Sequence, residues 1–152
     1  MKILMVCLGN ICRSPVAEGV MKAKAAKYHL NLAIDSAGTS GWHNGAQPDE
    51  RSMKNAACHG IDISNQESRK VMLSDFELFD VVYAMDQTNY NNLINLAPHG
   101  LHHKIKMILN ETHPGKNKDV PDPYYTEDGF DEVYNLLDEA CESIALNIKK
   151  NG

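Results

Sequence analysis

No apolar run in the 152-residue chain approaches the roughly 18–20 residues that a membrane span needs. The apolar opening Met1 to Leu8 is too short for a signal peptide and is interrupted by Gly9-Asn10, so a cytosolic home is expected. Cysteine is scarce: four residues, at 7, 12, 58 and 141. In a reducing compartment these are expected to be thiols rather than a disulfide framework. They also lack the paired short spacings of a zinc site, so no metal and no cofactor are expected. No Gly-x4-Gly-Lys-Ser/Thr occurs, which excludes the common nucleoside-triphosphate loop. There is no internal repeat, linker or low-complexity tract. Positive charge is in deficit too, 15 basic against 20 acidic residues, a net charge of −5. That balance argues against a protein that wraps nucleic acid or lies on anionic lipid.

Hydrophobic residues are 43% and charged residues 23% of the chain, enough for one good core, and the length fits one domain over 1–152. Lys2 to Val6 is a short apolar run without alternation, which predicts a strand buried on both faces. Further strands are expected at Leu32 to Ser36, Val81 to Met85 and Lys104 to Leu109. Between them lie helical signals. Ser14 is a preferred N-cap and Pro15 suits a first helical position. Val16, Ala17, Val20 and Met21 then give an inner face, with Lys22, Lys24 and Lys27 toward water. Pro48 opens a second helix and Gly60 closes it. Ser74 to Glu77 has capping-box spacing for a short turn of helix, and Asp86 can cap the helix after the third strand. From Phe130 to Ile148 apolar residues, Cys141 among them, recur at helical spacing. Cys58 and Cys141 read as structural. Strands alternating with helices predict an α/β fold: a four-stranded parallel sheet with helices on both faces.

The chemistry concentrates in Cys7-Leu8-Gly9-Asn10-Ile11-Cys12-Arg13-Ser14, between the first strand and the first helix. A loop curling there aims several backbone N–H groups at one point, and the helix dipole adds positive potential. Gly9 and Asn10 tolerate the left-handed angles that such a curl needs. Arg13 adds a planar fork suited to phosphate oxygens. A tetrahedral oxyanion fits this site, and a Cys7 thiolate facing it is a nucleophile poised to accept a phosphoryl group. Ser14 can donate its hydroxyl to the sulfur. A lone cysteine ending a buried strand is ordinarily a small hydrophobe; the complete Cys-x5-Arg-Ser set with a helix behind it changes that reading. The remaining need is an acid for the leaving oxygen. Asp122, held between Pro121 and Pro123 in a long polar loop over 110–125, is the candidate, with Tyr124 supplying apolar surface that favours the protonated carboxyl.

The Val6 to Pro15 opening, Asp35-Ser36-Ala37-Gly38-Thr39, Ala84-Met85-Asp86 and Asp122-Pro123-Tyr124-Tyr125, in that order along nearly the whole chain, make the sequence resemble the low molecular weight protein tyrosine phosphatases. The resemblance implies a protein tyrosine phosphatase acting through a cysteinyl-phosphate. Cys7 would be the nucleophile, Arg13 the phosphate clamp, Ser14 the partner of the thiolate and Asp122 the acid, then base. The loop residues Gly9, Ile11 and Cys12 would help hold the phosphate. Asn10 would stiffen the loop by bonding the Ser36 hydroxyl, and Leu8, Trp42 and Tyr124 would wall the cleft around a phenyl ring. Cys12 would form a reversible disulfide with Cys7 under peroxide. Partners implied are phosphotyrosine-containing proteins, for a monomer or weak dimer.

One departure is visible: many relatives support the loop asparagine with a histidine after the second helix, where this chain reads Ser64-Asn65-Gln66-Glu67-Ser68-Arg69. Gln66 or Asn65 is expected to replace it, or the support is missing. Arsenate reductases with the same loop need a further cysteine pair in mid-chain, and none lies between Cys58 and Cys141. The arginine phosphatase branch typically carries threonine where Ile11 stands. A non-catalytic phosphotyrosine-binding module would be expected to lack Cys7 or Asp122.

Overall fold

The computed structural model describes residues 1–124 and 128–152; Tyr125 of the last motif lies outside the described residues. Four strands, β1 (Lys2–Cys7), β2 (Ala33–Gly38), β3 (Val81–Ala84) and β4 (Ile105–Met107), form one parallel sheet in the order β2-β1-β3-β4. Among the described residues five α-helices accompany them: α1 (Arg13–Lys27), α2 (Glu50–Cys58), α3 (Asp75–Leu78), α4 (Gln87–Leu96) and α5 (Gly129–Asn151).

The missing alternation in β1 has a simple cause. Ile3, Met5 and Cys7 point into one core with residues of α1 and α5, while Leu4 and Val6 point into a second core with Phe76 and Leu93. Both faces are therefore dry, and every β1 side chain after Lys2 is buried. The chain leaves β1 for β2 on one side and later returns to β3 on the other. A crevice opens at such a reversal, outside the carboxyl ends of the strands, and this is where open α/β sheets take ligands.

Several boundaries differ from expectation, each for a local reason. Strand β2 continues to Gly38 because Ala37 and Gly38 pair with Val6 and Cys7. Only glycine fits at 38, since a Cβ there would lie 2.7 Å from the Leu8 carbonyl oxygen. Strand β4 stops at Met107, and Ile108 and Leu109 are buried in a 3-10 turn instead. Helix α2 starts after Asp49, whose carboxylate accepts from the Arg51 N–H at 2.8 Å; Pro48 stands just before it, and Gly60 takes φ +79° past its end. Asp86 caps α4 as expected, through the Asn89 N–H at 2.7 Å. Ser74 stands at the N-cap of α3 without a side-chain capping bond. Lys24 turns away from water to pair with Asp138 and Glu142 of α5, both at 3.0 Å. Cys141 is fully buried; Cys58, against expectation, is exposed at the end of α2, with no core to support a structural role.

Candidate active site

The first turn of α1 departs most usefully from the sequence reading. The helix begins at Arg13 with Cys12 at the N-cap, no side chain caps it, and its first turn holds no acidic residue. Ser14 is not the cap because its hydroxyl is used elsewhere: it lies 3.0 Å from Cys7 Sγ and accepts from Asn10 Nδ2 at 2.8 Å. The free N–H groups of the helix start are thus left for an anion.

The loop before the helix is turned inside out in the same sense. Its carbonyls face away: the Leu8 oxygen accepts from Ser40 N–H at 2.9 Å, that of Gly9 from Ser68 Oγ at 3.0 Å, and that of Ile11 from Asp49 N–H at 2.7 Å. Among the described residues no peptide bond is cis, and in a trans peptide C=O and N–H point in opposite directions. The N–H groups of Gly9, Asn10 and Cys12 therefore face the inside of a bowl with Cys7 at its floor. Asn10 makes the curl possible at φ +55°. Gly9 does not share that left-handed backbone; its place is fixed by crowding, since a Cβ would meet His43 Cδ2 at 3.1 Å.

Asn10 is held on three sides. Its amide donates to Ser14 Oγ and, at 2.9 Å, to Ser36 Oγ, and its carbonyl accepts from Arg69 N–H at 3.1 Å. Ser36 in turn donates to Glu18 Oε1 at 2.6 Å, and Lys22 neutralises the other oxygen at 2.6 Å. Neither Gln66 nor Asn65 replaces the family histidine at the asparagine, because Gln66 Nε2 reaches back to the Pro15 carbonyl at 3.0 Å instead. The buried Glu18 carboxylate ends the network.

Arg13 is 3% exposed. Its Nη1 donates to Asp86 Oδ2 at 2.8 Å and to the Val120 carbonyl at 2.9 Å, while Nη2 stands 3.7 Å from Asp122 Oδ2. Burial works against its charge, but Cys7, Asp86 and Asp122 outweigh that and hold its pKa above the ordinary value. Cys12, buried in the same loop, is pushed up to about 12 by burial first and then by Asp49, Cys7 and Asp122, with the nearby Ser52 hydroxyl opposing. Asp122 sits on the rim, its Oδ1 accepting from the Tyr124 N–H at 3.0 Å.

Cys7, Leu8, Gly9, Ile11, Cys12, Arg13, Trp42, Asp122 and Tyr124, distant in sequence, line one hollow of about 220 Å³. Asn10, Ser14 and Ser36 form the support behind it. Trp42, 91% exposed, stands as an apolar flap at the mouth. Sequence reasoning missed His43 and Ser40, which complete the lining, and carried no signal for either. It treated Asp86 as a helix cap, although an aspartate ending the strand beside β1 is where a partner for Arg13 belongs. Among the described residues no group of three or more His, Cys, Asp or Glu is placed to hold a metal ion.

Fold and bowl together define a class: a parallel α/β protein with a buried thiol in a loop whose free N–H groups suit a tetrahedral oxyanion. Comparison with known proteins makes this narrower. The family model for low molecular weight phosphotyrosine protein phosphatases matches residues 2–152. A protein of that description from Schizosaccharomyces pombe is 41% identical over 97% of this chain and 96% of its own. Among solved structures, a protein tyrosine phosphatase from Entamoeba histolytica superposes with a TM-score of 0.94 at 41% identity, covering 99% of this chain and 98% of the other. A Drosophila arginine phosphatase gives 0.91 at 32% identity, covering 98% of each. The chain belongs to the low molecular weight phosphotyrosine protein phosphatase family.

Proposed function

We propose that residues 1–152 act as one phosphatase domain that hydrolyses phosphotyrosine, and small aryl phosphates, through a cysteinyl-phosphate. The Cys7 sulfur attacks phosphorus as the phenol oxygen leaves, and Asp122 gives that oxygen its proton. Asp122 then takes a proton from the water that attacks the cysteinyl-phosphate, releasing phosphate and restoring the thiolate. Negative charge on the equatorial oxygens is held by the inward N–H groups and Arg13, the largest contribution to rate. These donors supply the positive potential that a metal supplies in other phosphoryl-transfer sites. Leu8, Trp42 and Tyr124 flank the phenyl ring.

The observation that carries this reading is the convergence of Cys7, Arg13 and Asp122 on one hollow. The arginine phosphatase relative shares the fold, so the fold cannot choose between the two substrates. The apolar Ile11 and the aromatic Tyr124 in the lining favour an aryl group over a guanidinium. Consistent with the net charge of −5, the substrates are phosphotyrosine-containing proteins of the cytosol rather than nucleic acid or membrane, met by a monomer or weak dimer. Cys12, in the same loop as Cys7, is the thiol that closes a protective disulfide after peroxide has oxidised Cys7.

Cys7→Ser tests the assignment. Hydrolysis of para-nitrophenyl phosphate, measured with chelator present, should vanish while vanadate still binds; a variant that turns over would remove Cys7 as nucleophile.

A further inference from the structure

We infer that Arg51, which does not line the hollow, is a positioning residue for the acid, strapping the Asp122 loop to the phosphate loop; the inference rests on Asp122 being the acid. The strap can be followed bond by bond. The Asp49 N–H holds the Ile11 carbonyl of the phosphate loop at 2.7 Å. The Asp49 carboxylate grips Arg51 with both oxygens, Oδ1 to Nε and Oδ2 to Nη2, each at 3.0 Å. Arg51 Nη2 also donates to the Tyr124 carbonyl at 2.9 Å, and its guanidinium stands over the Tyr124 and Phe130 rings, 5.5 and 4.9 Å from their centroids. Tyr124 N–H then holds Asp122 Oδ1 at 3.0 Å, and Asp122 Oδ2 faces Arg13 Nη2 at 3.7 Å. Phosphate loop, start of α2, Arg51, acid loop and Arg13 thus form a closed ring, in which the Arg51 side chain joins α2 to the backbone beside the acid.

The geometry explains why an arginine serves there. One planar fork meets a carboxylate at two points and still has a donor for a carbonyl and a face for an aromatic ring. The ordering matters because Asp122 is on a polar loop rather than on a strand or helix, and its carboxyl is 37% exposed. An acid must meet the leaving oxygen at hydrogen-bond distance, and misplacement by about 1 Å can cost about a hundredfold. Asp49 reinforces the grip, because its bonds to Arg51 hold its carboxyl below the usual range and so keep it charged.

The test is a leaving-group series. kcat/KM, which reports the step that phosphorylates sulfur and expels the phenol, is measured for aryl phosphates from para-nitrophenyl to phenyl. The proteins are wild type, Asp122→Ala, Arg51→Met, Arg51→Lys and Asp49→Asn. Asp122→Ala sets the pattern, a loss concentrated on phenyl phosphate. Arg51→Met should repeat it in smaller form, about tenfold on phenyl phosphate and about twofold or less on para-nitrophenyl phosphate, with inhibition by inorganic phosphate unchanged. Arg51→Lys should fall between Arg51→Met and wild type, since an ammonium keeps the charge but not the two-point grip. Asp49→Asn, which keeps the helix cap, should show the same slope if Arg51→Met does not accumulate as folded protein. Equal losses across the series, or weaker phosphate inhibition, in the Arg51 and Asp49 variants beside a normal Asp122→Ala pattern would overturn the strap alone. Equal losses in Asp122→Ala itself would remove the acid assignment and the strap with it.

Discussion

Replacing Glu18 by alanine tests the least expected part of the site, a buried carboxylate standing behind the phosphate loop. The change deletes the acceptor of the 2.6 Å Ser36 bond and the partner of Lys22. A hydrogen bond to a charged group contributes about 1.5–3 kcal/mol, and Ser36, 3% exposed, would find no water in exchange. The Lys22 pair is an i,i+4 contact to a lysine side chain 54% exposed, so it adds only about 0.3–0.5 kcal/mol. Alanine's better helix propensity returns a few tenths of a kcal/mol. The net loss is about 1.5–3 kcal/mol, which for a chain of this length lowers Tm by about 3–12 °C. Calorimetry of wild type and Glu18→Ala measures it directly. A second measurement belongs with the first: at a temperature where the variant is folded, vanadate affinity should fall, because Ser36 no longer fixes the left-handed Asn10. A Tm within about 1 °C of wild type would refute the reasoning. A lower Tm with unchanged vanadate affinity would confine Glu18 to the fold.

Trp42→Ala should leave urea-unfolding stability within about 0.5 kcal/mol, as expected for a surface change, because the ring is 91% exposed; KM for aryl phosphates should rise while kcat holds. Cys12 gives a pH prediction. A thiol raised to about 12 is almost wholly protonated at neutral pH, and its nucleophilic fraction grows about tenfold per pH unit up to that value. Closure of the disulfide with oxidised Cys7 should therefore be slow at pH 7 and faster at pH 9. The share of activity recovered by thiol reductant after peroxide should fall in Cys12→Ser, and by more at pH 9 than at pH 7; equal recovery in the two proteins at both pH values would remove Cys12 from this role.

The parts of the site legible in the sequence were those carried by neighbours along the chain. Cys7, Asn10, Arg13 and Ser14 share one loop, and the transition from strand to helix around them states where the loop must lie. Asp122 was legible through its flanking prolines. The supports were harder to read because they come from elements far apart in sequence: Arg69 N–H, Glu18 on the inner side of α1, and Asp86 beyond β3. Glu18 in particular looks like an ordinary helix glutamate until the sheet places Ser36 beside it. Ser14 shows the converse error. Local propensity made it a cap, and with its hydroxyl used at Cys7 and Asn10 the helix starts two residues earlier, at Arg13.

This difference in origin matches a difference in mechanical demand. In the proposed reaction the N–H groups hold a transition state whose charge appears on several oxygens at once, which calls for a rigid bowl. A left-handed asparagine bonded on three sides and carbonyls tied outward give that rigidity. In the same proposed reaction the acid meets a leaving oxygen and afterwards a water, at different moments and on the same side. A carboxylate on an exposed loop, restrained through its own backbone rather than packed into the core, can do both without disturbing the bowl. Buried Arg13 joins the two demands, with one nitrogen fixed to Asp86 and Val120 and the other facing Asp122.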